Sequence, residues 1–339
     1  VDFYDRRVRR IFPALFVMLA GVTALAAFIL LPRQMMDYAG SLIPSALFYA
    51  NIHFQQALNY FGPDADEVPL LHVWSLAVEE QFYIVFPLLL FGFLRMGGRK
   101  AAAGGLMALA LGSLLFAEYY LGSAPKVAFY QLAGRAWELL VGALLALLPL
   151  PRMREPVAGG LGALGLVCVL VPVFAYDKET VFPGLAAVPP VMGTALLILA
   201  GAAMPSGRIT RFLSLPGLVY VGRISYSLYL WHWPLLVLAA LHKTRHLTYI
   251  QSGLVILVAV GLAALSLKYV ETPLRRPGLF GGRRLARLGV GALAILCAIG
   301  VARALEGVGG QLWPVSARGA AALAALDDKS AFQRDCNNE

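Results

Sequence analysis

The sequence predicts an all-α fold, a polytopic transmembrane helical bundle. Hydrophobic residues make up 59% of the 339 residues and charged residues only 14%, whereas a soluble domain has about 25% charged residues. Apolar runs of about 20 residues, the length that crosses a bilayer as a helix, recur along the whole chain. Because so little charge cannot cover the surface of a soluble protein of this size, a soluble fold is excluded.

The apolar runs predict nine membrane spans. We expect them at residues 11–31, 70–94, 101–121, 127–149, 157–175, 185–204, 214–241, 249–270 and 286–305. The stretch from 41 to 60 is apolar enough to enter the membrane, but it carries Asn51, His53 and Asn59. We treat it as interfacial or re-entrant, since counting it as a span would break the alternation of charge in every later loop.

The basic residues predict the orientation of the chain. With Val1 in the cytoplasm, sixteen lysines and arginines fall in cytoplasmic loops and five in external loops, as the positive-inside rule requires. This arrangement places the tail after residue 305 outside. The net charge of +9 therefore reflects orientation in a lipid bilayer, which is the expected partner, and does not indicate binding to nucleic acid. The three cysteines predict neither a disulfide framework nor a metal site, and no motif requires a metal.

The first group of polar residues within a predicted span lies at 72–83. His72, Ser75, Glu79 and Tyr83 are spaced by three, four and four residues, so they share one face of a helix. Imidazole, hydroxyl, carboxylate and phenol groups on one face can bind a polar substrate or relay a proton. Glu80 points about 100° away. The alternative is that these groups lie near the outer interface and pair with arginines.

The second group is Gln131, Arg135 and Glu138, spaced by four and three residues. Arg135 and Glu138 can neutralise each other, which makes their burial tolerable without any function. An arginine held in this way is also a good anchor for a phosphate or carboxylate. The sequence leaves both interpretations open.

The third group lies at 221–234, where aromatic residues flank His232 and where Pro234 can kink a helix. Ser225, Tyr229 and His232 are expected to share a face. Aromatic faces suit sugar rings and acyl chains. A histidine among tryptophans is also compatible with packing at the membrane interface.

Two further sets of charges lie next to spans. The arginines before the first span either set the topology and contact anionic lipid, or form a dock for a phosphorylated cytosolic donor; they are Arg6, Arg7, Arg9 and Arg10. Lys268 and Glu271 lie at a predicted cytoplasmic end. We expect this pair to snorkel or to form an ion pair.

Five segments together resemble the acyltransferase-3 family of membrane O-acyltransferases. They are 2–13, 70–83 (LLHVWSLAVEEQFY), 134–138, 222–234 (GRISYSLYLWHWP) and 270–273, in the order of that family. The resemblance implies transfer of an acyl group, usually acetyl, from cytosolic acyl-CoA to a hydroxyl of an envelope glycan. It implies a protein of the bacterial inner membrane, with the O-antigen of lipopolysaccharide, peptidoglycan or a related polysaccharide as the acceptor.

The resemblance and the polar groups together give each candidate residue a role. We expect Arg7 and Arg10 to bind acyl-CoA, and His72 and Glu79 to take part in catalysis. The expected substrate-binding residues are Glu80, Arg135, Glu138, Arg223, Ser225, Tyr226, Trp231 and His232. The histidine that the family uses as its main catalytic base belongs to a first span, which we expect upstream of Val1.

The resemblance also implies a domain organisation. Residues 1–305 are expected to form the acyltransferase-3 membrane domain without its first two spans, and 306–339 a linker toward a missing SGNH-type domain, so that the chain is truncated at both ends. The competing function is a transporter or flippase for a glycan or an acylated small molecule. The lack of internal repeats in the sequence argues against it. A third interpretation is a membrane scaffold.

Overall fold

The computed structural model describes residues 2–58, 64–147, 149, 153–177, 179–243, 247–275 and 284–308. Within these ranges the chain is helical and has no strand, which confirms the predicted all-α bundle. The helices are α1 (Asp2–Ile29), α2 (Pro32–Ala46), α3 (Ala50–Ala57), α4 (Val73–Leu121), α5 (Pro125–Tyr130), α6 (Leu132–Leu147), α7 (Glu155–Ala175), α8 (Val188–Ala203), α9 (Arg208–Leu213), α10 (Pro216–Lys243), α11 (Tyr249–Ser266), α12 (Thr272–Arg275) and α13 (Arg284–Val308). The predicted linker lies outside the described residues from 309 onward.

Six of the described helices are long and apolar enough to cross a membrane, so the chain is a multi-pass membrane protein. The predicted spans 70–94 and 101–121 both fall on α4, which is interrupted at Gly97 and Gly98. Gly98 has a φ of 66°, a conformation that favours glycine. The ring of Phe93 lies against Gly105, although twelve residues of straight helix would separate them by about 18 Å. The helix therefore folds back on itself as two antiparallel halves.

The predicted span 127–149 has the wrong beginning. A separate short helix, α5, ends at Tyr130, and α6 starts only at Leu132 because Gln131 has extended backbone angles (φ −87°, ψ 146°). Gln131 therefore does not continue the helix of Arg135, and its side chain instead donates to Oε1 of Gln55 over 3.1 Å. A Cβ atom at Gly134 would overlap with the carbonyl oxygen of Ala128, so glycine permits the tight junction between α5 and α6.

The ambiguous stretch 41–60 forms no continuous span in its described part, which ends at residue 58. Helices α2 and α3 have 15 and 8 residues, both fewer than the roughly 20 that cross a bilayer. The polar residues of this stretch attach it to its neighbours: buried Asn51 donates to the carbonyl of Tyr130 over 3.0 Å, and its Oδ1 accepts from Gln81 of α4 over 2.8 Å. Buried amides are stable here because their hydrogen bonds are satisfied.

Two apolar cores surround the candidate residues. The first is built from α1, α2, α3, α10 and the beginning of α4, and the second from both halves of α4 together with α6. Helix α4 takes part in both cores. Its polar face therefore lies at the centre of the bundle and contacts α1 and α10.

A π-helical turn, Leu267–Glu271, follows α11. It brings Glu271 into the interior with 0% of its surface exposed. The hydroxyl of Ser227 donates to Glu271 Oε1, and Arg275 forms an ion pair with Oε2. Glu271 therefore pairs with Arg275 and not with Lys268, whose ammonium lies 5.0 Å from the ring of Tyr269.

Candidate functional site

The polar face predicted on α4 joins two clusters of side chains. His72 precedes the helix with helical backbone angles (φ −55°, ψ −25°), so it continues the face of Ser75, Glu79 and Tyr83. At one end, Ser75 Oγ lies 2.7 Å from the Tyr229 hydroxyl of α10. At the other end, the Arg7 guanidinium of α1 lies 3.6 Å from the centre of the Tyr83 ring. One helix face thus links the interior to the start of α1.

The histidine cluster consists of His72, Ser75, Tyr229 and His232. The Tyr229 hydroxyl donates to the backbone carbonyl of His72 and therefore accepts from Ser75 Oγ. The His72 ring is 7% exposed and lies 5.2 Å from the Tyr229 ring and 6.0 Å from the His232 ring. Neither of its ring nitrogens makes a hydrogen bond to the described residues. Two imidazoles and a phenol therefore meet at this point, with His72 buried and Tyr229 and His232 partly buried.

The backbone of α10 fixes the tautomer of His232. Its Nδ1 lies 2.8 Å from the carbonyl oxygen of Tyr229 and 3.1 Å from that of Leu228. Both carbonyl oxygens are acceptors, so Nδ1 carries the hydrogen. In the neutral ring Nε2 then has the free lone pair. Such a nitrogen can accept a proton from a hydroxyl group.

The N-terminal cluster consists of Arg7, Arg10, Glu79, Glu80 and Tyr83. Both arginines act electrostatically on Glu79, and Arg7 acts also on Glu80. Arg7 is half-buried and Arg10 exposed at the start of α1. A guanidinium group carries five N–H donors and binds phosphate oxygens well, and the exposed Arg10 is accessible to such a ligand.

Tyr226 of α10 contacts α1. Its hydroxyl donates to the carbonyl of Ile11 in α1 over 2.8 Å, and its ring lies in the electrostatic field of Glu79, Glu80 and Glu271. The structure therefore places the predicted residue Tyr226 beside the polar face of α4.

The aromatic cage surrounds Arg135 near the beginning of α6. Its guanidinium carbon lies 5.6, 5.7 and 5.1 Å from the ring centres of Trp74, Phe129 and Phe182. Arg135 Nε pairs with Glu138 Oε1 at 3.2 Å. The predicted neutralisation of the two charges is present, and aromatic rings replace water around the cation.

Comparison with known proteins gives the family. Residues 1–270 match the acyltransferase-3 family, described as an acyltransferase domain. The chain belongs to this family. It is similar to "Peptidoglycan O-acetyltransferase OatA" of Listeria monocytogenes, with 28% identity over 293 residues, 82% of this chain and 46% of that protein. It is also 29% identical over 292 residues to "Putative peptidoglycan O-acetyltransferase YrhL" of Bacillus subtilis, with the same two shares.

The matches confirm the family that the five segments indicated. A third relative, "Putative O-acetyltransferase SACOL0978" of Staphylococcus aureus, is 29% identical over 300 residues, 82% of this chain and 48% of that protein. The chain spans about half the length of the curated relatives it matches. No solved structure matches it.

Three residues expected to bind substrate lie apart from the clusters of this acyltransferase-3 chain. Arg223 and Ser225 are exposed, and the Ser225 hydroxyl donates to the carbonyl of Gly222 in its own helix over 2.9 Å. Trp231 is buried and donates from Nε1 to Ser266 Oγ over 3.0 Å. Ser225 shares a face of α10 with Tyr229 and His232, as the spacing predicts, but it lies one turn nearer the start of the helix and is exposed.

The sequence reasoning missed the residues that complete the sites. Trp74 and Phe129 were visible only as two among many aromatic residues, and Phe182 lies in the segment before α8. Glu271 was noticed as a charge near a helix end, but its partner Ser227 was not. Among the described residues, no group of three or more His, Cys, Asp or Glu side chains is placed to hold a metal ion.

Proposed function

We propose that the protein is a membrane O-acyltransferase that transfers an acetyl group from cytosolic acetyl-CoA to a hydroxyl of a cell-envelope polysaccharide. The carrying observation is the single polar face of α4, which joins the N-terminal cluster to the histidine cluster. Family membership supports the reaction class. The names of the relatives favour peptidoglycan as the acceptor over O-antigen.

The donor site is the N-terminal cluster. Arg7 and Arg10 bind the phosphates of acyl-CoA, because planar guanidinium groups form paired hydrogen bonds to phosphate oxygens. The acyl end extends along the face of Glu79 toward His72. The eleven residues from Tyr83 to His72 cover about 16 Å of helix, so the thioester reaches the interior while the phosphates stay at the surface.

The chemistry is an ester exchange. The acceptor oxygen bonds to the thioester carbonyl carbon, the C–S bond breaks, and the hydroxyl proton passes through a base to the CoA thiolate. The resemblance to the family implies that the main base is a histidine. His232 Nε2, with its free lone pair, serves as an additional proton acceptor in the histidine cluster.

The orientation follows from the loop charges. The start of α1 lies on the cytoplasmic side of the bacterial inner membrane, where acyl-CoA is available, and the opposite ends of the spans face outward. The acceptor glycan lies on that outer side. Lipid and glycan are therefore the partners of the protein.

The experiment compares Arg10→Ala with Arg9→Ala in the natural full-length protein, purified in lipid nanodiscs. Arg9 is the matched control because it pairs within α1 with Asp5 over 2.6 Å. We expect Arg10→Ala to weaken acetyl-CoA binding about tenfold, the effect of losing a charge-assisted pair, and Arg9→Ala to leave it unchanged.

Ester product on peptidoglycan oligosaccharides is then measured by mass spectrometry. Unchanged acetyl-CoA affinity in Arg10→Ala would remove its proposed role. Movement of glycan across the membrane without any ester product would favour a transporter instead.

A further inference from the structure

The ion pair in the aromatic cage already neutralises its own charges. Arg135 Nε and Glu138 Oε1 are 3.2 Å apart, and both side chains are largely buried. A further anion would leave one unbalanced negative charge in a region of low dielectric constant, where the energetic cost is high. The cage therefore suits an uncharged ligand better than a phosphate or carboxylate.

The same ion pair leaves one donor and one acceptor unused. Arg135 Nη1 is buried and makes no hydrogen bond to the described residues, and Glu138 Oε1, although close to Nε, receives none either. Buried polar atoms without partners are rare in stable proteins. A group that both accepts and donates, such as a sugar hydroxyl or an N-acetyl amide, satisfies both atoms at once.

Aromatic rings and an open cleft provide the rest of a sugar site. The Trp74 and Phe129 rings lie 4.6 Å apart, and with Phe182 they form apolar faces against which the C–H groups of a pyranose ring can pack. A cleft of about 350 Å³ between α6 and α8 runs beside the cage. Glu138 and Phe182 line it, Arg135, Trp74 and Phe129 do not, and its other lining residues are mostly apolar. This volume lies at the small end of the roughly 300–1,000 Å³ typical of ligand pockets, which suits one or two sugar units.

We infer that the aromatic cage with Arg135 and Glu138 is the acceptor subsite, and that it binds an uncharged, N-acetylated sugar unit through Arg135 Nη1 and Glu138 Oε1. This inference rests on the proposed function for the identity of the acceptor. It adds residues from three separate segments, at Trp74, Phe129 and Phe182, and it specifies that the bound unit is neutral.

The test measures oligosaccharide binding to the natural full-length protein in nanodiscs by saturation-transfer NMR. The neutral probe is a tetramer of N-acetylglucosamine. The charged probe is a tetrasaccharide of the same length in which glucuronic acid alternates with N-acetylglucosamine. The variants are Arg135→Lys, which keeps the charge but loses the planar fork, and Phe182→Leu. The control is Phe174→Leu, because Phe174 is 85% exposed on α7.

We expect the neutral tetramer to bind the unchanged protein and to bind about fivefold more weakly to Phe182→Leu. For Arg135→Lys we expect a loss of about tenfold, and for Phe174→Leu no change. All variants are first checked for an unchanged elution volume and melting temperature. If both Arg135→Lys and Phe182→Leu bind the neutral tetramer as tightly as the unchanged protein does, the subsite is overturned. It is also overturned if only the charged tetramer binds in a way that depends on Arg135.

The two hypotheses fail in different ways. If the variants weaken sugar binding while the protein makes no ester from acetyl-CoA, the subsite is supported and the proposed reaction is contradicted. If ester formation on the neutral tetramer continues with the same acceptor KM in both variants, the reaction stands and the subsite falls. Measuring acetyl-CoA affinity in the same samples shows that the donor site is unaffected.

Discussion

The Tyr229 hydroxyl of α10 lies 2.7 Å from the Ser75 hydroxyl of α4. The same phenol donates to the backbone carbonyl of His72, so one side chain connects α10 to two positions at the start of α4. Since His232 lies on the next turn of α10, this connection also determines how His72 and His232 face each other.

Replacing Tyr229 with phenylalanine removes both hydrogen bonds and keeps the ring. We expect a loss of about 1 kcal/mol in the free energy of unfolding, the usual contribution of hydrogen bonds in proteins and membranes. The melting temperature in detergent measures it. Tyr119→Phe is the control, because the Tyr119 ring is 75% exposed. Equal melting temperatures for the two variants would contradict the connecting role of Tyr229.

Gly134→Ala tests the junction before the aromatic cage. The added methyl group would overlap with the Ala128 carbonyl, so α5 and α6 must move apart. We expect a loss of about 1–3 kcal/mol in the free energy of unfolding, as for other overpacked sites. Gly142→Ala on the same helix has open space around its Cβ and should be neutral or stabilising. If both variants melt alike, the close approach at Gly134 does not constrain the protein.

The sequence predicts the α4 face correctly because the spacing of His72, Ser75 and Glu79 is a local property of one helix. The same reasoning fails on α10, where apolar and aromatic residues occur all around the helix and do not define an inward face. Ser225 was therefore expected in the site although it is exposed, and the buried Ser227 was not singled out. The cage was missed for a different reason, since contacts between residues as distant as Trp74 and Phe182 depend on tertiary packing alone.

Exchanging Glu271 for glutamine tests the buried ion pair. The substitution keeps the shape but leaves Arg275 without its anion and weakens the bond from Ser227. Loss of one partner of a buried pair costs about 3–5 kcal/mol, and partial exposure of Arg275 reduces this figure. The melting temperature should fall well below that of Glu306→Gln, whose exposed pair with Arg303 contributes about 0–1 kcal/mol. A smaller fall for Glu271→Gln than for Glu306→Gln would be inconsistent with the buried pair.

The substitution His232→Asn distinguishes the roles of the two ring nitrogens of this histidine. The asparagine amide can replace Nδ1–H as donor to the Tyr229 carbonyl, whereas nothing replaces Nε2. We expect an unchanged melting temperature and a rate of ester formation lower by about 100-fold or more, the range for losing a general base. The same substitution at His53, outside the histidine cluster, is the control. Wild-type turnover in His232→Asn would exclude a proton-transfer role for Nε2.

The π-helical turn at Leu267–Glu271 changes the direction in which the side chains after it point. A π turn holds one more residue than an α turn, so the residues after it are rotated by about 100° relative to an uninterrupted helix. Deleting a single residue from this turn would restore the ordinary phase and carry the Glu271 carboxylate away from Ser227. A one-residue deletion at this point should therefore be more damaging than a change of side chain, because it alters which surface of the helix meets α10.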